Sequence, residues 1–167
     1  GAYQRGEDAR PELRAPSIRG QLRYWLRAIL GAKQPNPHLL FKLESQIFGS
    51  TGVGSPVTVR VFPEGSPQRD RVAMMPHKRD DNEVKRSRQF ALPPGTRATL
   101  ELVTRPGVAM PSDALNALQL WALLGGVGKR SRRMFGAVEV RGDDTPPASP
   151  DALAQGIANA PFDRALE

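Results

Sequence analysis

Ser17-Ile18-Arg19-Gly20-Gln21-Leu22-Arg23-Tyr24-Trp25-Leu26-Arg27-Ala28-Ile29-Leu30 is the stretch on which the fold turns. Its apolar residues Ile18, Leu22, Trp25, Leu26, Ile29 and Leu30 return at helical spacing, which predicts an amphipathic helix over residues 17–30. Ser17 suits the N-cap and Gly31 the stop. Upstream, residues 1–16 are polar and broken by Gly1, Gly6, Pro11 and Pro16, so they read as loop.

Downstream, a proline-bearing stretch from Lys33 to His38 leads into residues 39–48, which suit a short second helix before the glycine-rich turn Gly49-Ser50-Thr51-Gly52-Val53-Gly54. Valines then alternate with Thr58 and Arg60 in Pro56-Val57-Thr58-Val59-Arg60-Val61-Phe62, the pattern of a half-buried strand. Residues 63–94 are rich in Pro, Arg, Asp and Ser with little apolar period, and they read as an inserted, mobile finger. A second strand is expected over residues 96–104, closed by Pro106-Gly107. Ser112 suits the cap of another helix running to Leu124, with Leu115, Leu118, Trp121 and Ala122 as its apolar face, widened by Leu120, Leu123 and Leu124. Gly125-Gly126 stops it. A third short strand is expected over residues 135–141, and residues 142–167 read as a linker with a weak terminal helix.

This order describes an α+β, ferredoxin-like (RRM-like) β-α-β-β-α-β unit that lacks its first strand. One domain is expected over residues 1–141, with the inserted loop at about 63–95. A missing central strand leaves backbone donors and acceptors unpaired in the core. That strand is expected upstream of Gly1 or from another chain.

Composition narrows the function. The 167 residues suffice for one core. A formal charge of +7 and a pI near 10.5, with arginine far outnumbering lysine, favour an acidic partner such as nucleic acid. The absence of cysteine excludes disulfides, thiolate chemistry and the usual cysteine-rich zinc sites. No apolar run is long enough to span a membrane or serve as a secretion signal, so a cytoplasmic location without membrane contact is expected. Only His38 and His77 are present, little material for histidine catalysis or metal binding, and neither metal nor organic cofactor is expected.

Two basic constellations remain. Arg19, Arg23 and Arg27 are four residues apart, so on a helix they form one line of guanidinium groups displaced by about 90–100° from the apolar face. Such a line can follow a phosphate backbone, helped by the free N–H groups of the first turn and by Gly20, which has no side chain to hold a phosphate away. The same pattern also fits an ordinary solvated arginine stripe. The other constellation is Gly125-Gly126-Val127-Gly128-Lys129-Arg130-Ser131-Arg132-Arg133-Met134-Phe135-Gly136. Its glycines permit close approach, and its four cations concentrate positive field just past a helix end. Phe135 suits either base stacking or the core.

The strings at residues 17–28, Glu44-Ser45-Gln46-Ile47-Phe48-Gly49-Ser50 and Ser55-Pro56-Val57-Thr58-Val59 resemble the amino-terminal RAMP domain of the first Cmr subunits of type III-B CRISPR complexes. The segment from Gly125 to Gly136 is similar to the glycine-rich loop after that domain's second helix. The CRISPR-associated RAMP resemblance implies a non-catalytic guide-RNA (crRNA)-binding module of an antiviral ribonucleoprotein, placed near the guide 3′ end and the entering target RNA. It implies other RAMP subunits as partners. It also implies that Ser17, Arg19, Gly20, Arg23, Arg27, Gly126, Gly128, Lys129, Arg130, Ser131, Arg132 and Arg133 face RNA.

Two alternatives stand beside it. An endoribonuclease would draw on His38 or His77, or on Asp80 and Asp81 with a metal, and a protein-interaction module would dock an acidic neighbour on the basic face. Under the RNA-binding reading, reversing Arg19 and Arg23 to glutamate is expected to weaken RNA binding and to leave the fold intact.

Overall fold

A computed structural model describes residues 11–32, 34–65, 70–73, 88–128, 131 and 136–141. Among these residues three helices and four strands follow one another: α1 (Ala15–Gly31), α2 (Pro37–Phe48), β1 (Val57–Pro63), β2 (Asp70–Ala73), β3 (Arg88–Ala91), β4 (Ala98–Thr104) and α3 (Ser112–Leu124). The architecture is α+β, with β1 paired to β4 and β2 paired to β3.

The described residues fall into two compact units, one drawn from 15–60 and 101–141, the other from 11–14 and 61–100. In the first, α1 buries Ile18, Leu22, Leu26, Ile29 and Leu30 on the face that its apolar period marks. The helix opens at Ala15, so Ser17 lies inside its first turn rather than at the cap. Pro16 explains the earlier start, because its ring fixes a helical φ and it lacks only an N–H that the first turn leaves unbonded anyway. Gly31 ends α1 as expected.

α2 likewise starts two residues ahead of its expected position, at Pro37. The Asn36 carboxamide oxygen accepts from the backbone N–H of His38 at 3.0 Å and of Leu39 at 3.4 Å, satisfying donors that helical bonding leaves free. The Gly49 N–H closes the other end on the Ser45 carbonyl. Ser55 then ties the helix end to the sheet, donating to the Ile47 carbonyl at 3.2 Å while its oxygen accepts from Val57 N–H at 3.2 Å. Val57 and Val59 are buried and Thr58 and Arg60 exposed, as their alternation along the strand requires. Burying a side chain of the size of Leu22, Leu26 or Phe48 stabilises the fold by about 1.5–3 kcal/mol each.

α3 corrects two expectations. Its N-cap is Pro111, without a side-chain hydrogen bond, so Ser112 is the first helical residue and not the cap. Its buried face is Ala114, Ala117, Leu120 and Trp121, while Leu115 and Leu124 are exposed. The helix is apolar nearly all round, so its period carries little phase. The small side chains of Ala114 and Ala117 are what let it pack closely.

The second unit corrects another expectation. Within the stretch read as an inserted, mobile finger, β2 and β3 form an antiparallel ladder with Asp70 opposite Ala91 and Ala73 opposite Arg88, two strands that were not expected there. Four-residue strands set among prolines and charges leave too short a period to read. A Pro93-Pro94-Gly95-Thr96 turn follows, closed by Thr96 N–H and hydroxyl on the Pro93 carbonyl, and Arg105-Pro106-Gly107-Val108 closes the far end of β4 in the same way.

The third strand expected over residues 135–141 is absent from its described part, 136–141. Gly136 holds φ +72° and its carbonyl accepts the Val127 N–H at 2.8 Å, which makes a turn where a strand would begin. Beyond it, Glu139 and Arg141 pair with each other in solvent at 2.9 Å. Of the expected element order the described residues therefore contain α1, β1, β4 and α3, with α2 added between α1 and β1. The terminal segment 142–167 and Phe135 lie outside the described residues.

Candidate nucleic-acid interface

The arginine row on α1 does not stand clear in solvent. α2 runs back along that flank of α1, and the two helices meet through charge. Arg19 donates through Nη2 to the carbonyl of Phe48, the last residue of α2, where helical bonding leaves carbonyls unsatisfied and the helix dipole favours a cation. Arg23 donates through Nε to Oε1 of Glu44. Arg27 places Nη1 at 3.2 Å from the other carboxylate oxygen. Glu44 is wholly buried and Arg27 keeps 49% of its side chain exposed.

A buried carboxylate needs compensation, and here two guanidinium groups supply it. Three cations facing one anion leave the flank with a net positive charge. Arg27 is the best placed of the three to meet an external anion, since its guanidinium is half in water and Glu44 already has Arg23. Arg19 and Arg23 are committed to clamping α2. Reversing them to glutamate would therefore disturb the fold, contrary to the expectation from sequence.

Gly20 sits in the interior of α1, where glycine costs about 1 kcal/mol against alanine. A Cβ there would meet no atom within 4 Å. Packing among the described residues gives no reason for glycine at this position. Ser17 lies one turn earlier and is half-buried.

On the opposite flank α1 meets α3 through apolar contact. Ile29 packs with Leu120, and Trp25 and Leu123 pack against that pair. Trp25 also stands at the end of α3: a Cβ on Gly125 would lie 2.5 Å from Trp121 Cδ1 and 2.9 Å from Trp25 Nε1. Only a residue without a side chain fits beneath the two indoles. Since Trp25 meets Gly125 while Ile29, a turn later, meets Leu120, the two helices run antiparallel. The chain consequently leaves α3 towards the amino-terminal half of α1.

The loop that follows is pinched at its base. Trp121 Nε1 donates to the Gly126 carbonyl at 3.3 Å, and Val127 N–H donates to Gly136. A Cβ on Gly126 would stand 2.8 Å from the Gly136 carbonyl oxygen and 3.4 Å from Ser131 Cβ, and one on Gly136 would run into the Val127 carbonyl oxygen. Gly126 is buried, Ser131 half-buried, and Gly128 exposed at φ +97°. Lys129, Arg130, Arg132 and Arg133 lie between the two sides of this neck in the sequence and outside the described residues.

The profile of the RAMP superfamily matches residues 1–139. The chain belongs to the RAMP superfamily. Among RAMP proteins, it is 35% identical over 144 residues to the CRISPR system Cmr subunit Cmr1-1 of Pyrococcus furiosus, covering 78% of this chain and 41% of that protein. It is 43% identical over 60 residues to Cmr1-2 of the same organism, covering 35% and 32%. The apo crystal structure of Cmr1 from Pyrococcus furiosus superposes with a TM-score of 0.57 at 30% identity, over 75% of this chain and 40% of that one. This RAMP chain thus spans about two-fifths of the Cmr1 proteins it matches over most of its own length. No helix among the described residues is long and apolar enough to cross a membrane.

Glu44 and the two indoles are the residues that reasoning from sequence passed over as parts of the site. Glu44 carried a signal: it shares a helical face with Ile47 and Phe48, so an acid there is buried and needs a cation. His38 is exposed at the start of α2, whereas His77, Asp80 and Asp81 lie outside the described residues.

Proposed function

We propose that this chain is the RNA-holding, non-cleaving part of a Cmr1-like subunit in a type III-B CRISPR effector, gripping the guide RNA near its 3′ end beside the entering target, with other RAMP subunits as neighbours. The antiparallel joint between α1 and α3 carries the reading. It directs the chain at Gly125 and Gly126 towards the half of α1 that bears Arg19 and Gly20, and the four cations follow shortly after in the sequence. Open space over Gly20 supports the same reading, because a phosphate or ribose gains from a missing side chain where the protein does not.

The test neutralises Lys129, Arg130, Arg132 and Arg133 to glutamine and measures single-stranded RNA binding against salt. Affinity is expected to fall, and the slope of log K against log salt to shrink by roughly 0.7 for each cation that meets a phosphate. Equal affinity and equal slope in the variant would overturn the assignment.

A further inference from the structure

Opposite its buried stripe, α1 presents Ser17, Gly20, Tyr24 and Arg27 at successive helical spacings. Tyr24 is the large apolar group of this face, with 49% of its surface exposed. Its ring stands edge to face with Trp25, centroids 5.4 Å apart and planes at 84°. Trp25 is in turn fixed against Ile29, Leu120 and the backbone of Gly125. The exposed ring is therefore braced from behind by a half-buried residue packed against the core. An aromatic side chain has few rotamers to lose, so a braced one presents a flat surface at little entropic cost.

Helical side chains lean towards the amino terminus, which carries Tyr24 over the turn that holds Gly20. Because a Cβ on Gly20 would meet nothing within 4 Å among the described residues, they leave the space beside the ring open. Arg27, half exposed, follows one turn later on the same side. A flat aromatic surface, an open floor and a cation are the three features that a single-stranded nucleotide uses: base, sugar and phosphate.

We infer that Tyr24 is a stacking platform for one unpaired RNA base, with Gly20 as the floor that admits its sugar and Arg27 as the partner of an adjacent phosphate. This rests on the RNA-binding reading above and adds a contact that the cationic loop does not supply. Stacking on Tyr24 is indifferent to salt and to base identity, whereas the cations set the salt slope.

The test compares the intact chain with Y24A and Y24F on a short oligouridylate and on an abasic strand of the same length, by fluorescence anisotropy across a salt series. Y24A is expected to lose at least about fivefold in affinity for the oligouridylate with an unchanged salt slope, and Y24F to stay within about twofold of the parent. The parent is expected to prefer the base-bearing strand and Y24A to lose that preference. A parent that binds RNA but equals Y24A on both strands overturns the stacking platform alone. A parent that binds neither strand overturns the RNA-binding reading, and the platform with it.

Discussion

The two flanks of α1 are held by opposite means. Towards α2 the joint is ionic, with Arg23 and Arg27 on the buried carboxylate of Glu44 and Arg19 on the last carbonyl of the helix. Towards α3 it is apolar, built from Ile29, Leu120 and two indoles closing on Gly125. An apolar joint is non-directional and tolerates any occupant of the right shape, while an ionic one fixes where each guanidinium points. One helix can thus be stabilised on one side and hold cations in fixed directions on the other. The outward face between the joints carries Gly20, Tyr24 and the exposed half of Arg27.

The ionic joint breaks most severely by charge reversal. Arg23→Glu sets a second carboxylate against Glu44, and urea unfolding is expected to show a loss of about 3 kcal/mol, near the lower end for broken buried pairs because Arg23 keeps 26% of its side chain exposed. An unmoved midpoint would mean that Glu44 does not depend on Arg23. The apolar joint should yield less. Gly125→Ala places a methyl against Trp121 and Trp25, and since φ there is −93° the penalty is steric contact rather than backbone strain, about 1–3 kcal/mol in the same measurement. A variant as stable as the parent would show that the indoles can part without cost.

The smallest effect belongs to a pair outside both joints. A hydrogen bond from Arg141, and then its charge, hold the Glu139 carboxyl below its ordinary range. Its contribution is therefore present at neutral pH and lost on acidification, yet both groups stand in water. Glu139→Gln is expected to leave the thermal midpoint unmoved at neutral pH, and a clear drop would assign this surface pair a structural role.

α1 was readable because its apolar period is strong and single-phased, and β1 because its valines alternate with polar residues. The Pro-Gly dipeptides at 94–95 and 106–107 bracket β4 for a local steric reason that needs no partner. α3 hid its buried face because leucines surround it and the deciding residues are two alanines, whose contribution is closeness rather than bulk. The β2–β3 ladder escaped notice because four residues give barely two turns of alternation. In the site, the arginine row and the glycine loop were visible as charge and composition. That Arg19 and Arg23 are spent on α2 was not, because it follows from Arg23 meeting Glu44 and Arg19 meeting the Phe48 carbonyl, 21 and 29 positions away in the sequence.

The surface between the two joints and the loop beyond α3 are expected to hold one RNA strand together. Photo-crosslinking a bound single-stranded RNA and mapping the modified peptides by mass spectrometry tests this directly. Adducts are predicted both at Tyr24 and within residues 127–136 of the same preparation. Adducts confined to one of these elements, or found only on α2 and the β2–β3 ladder, would contradict a shared RNA surface.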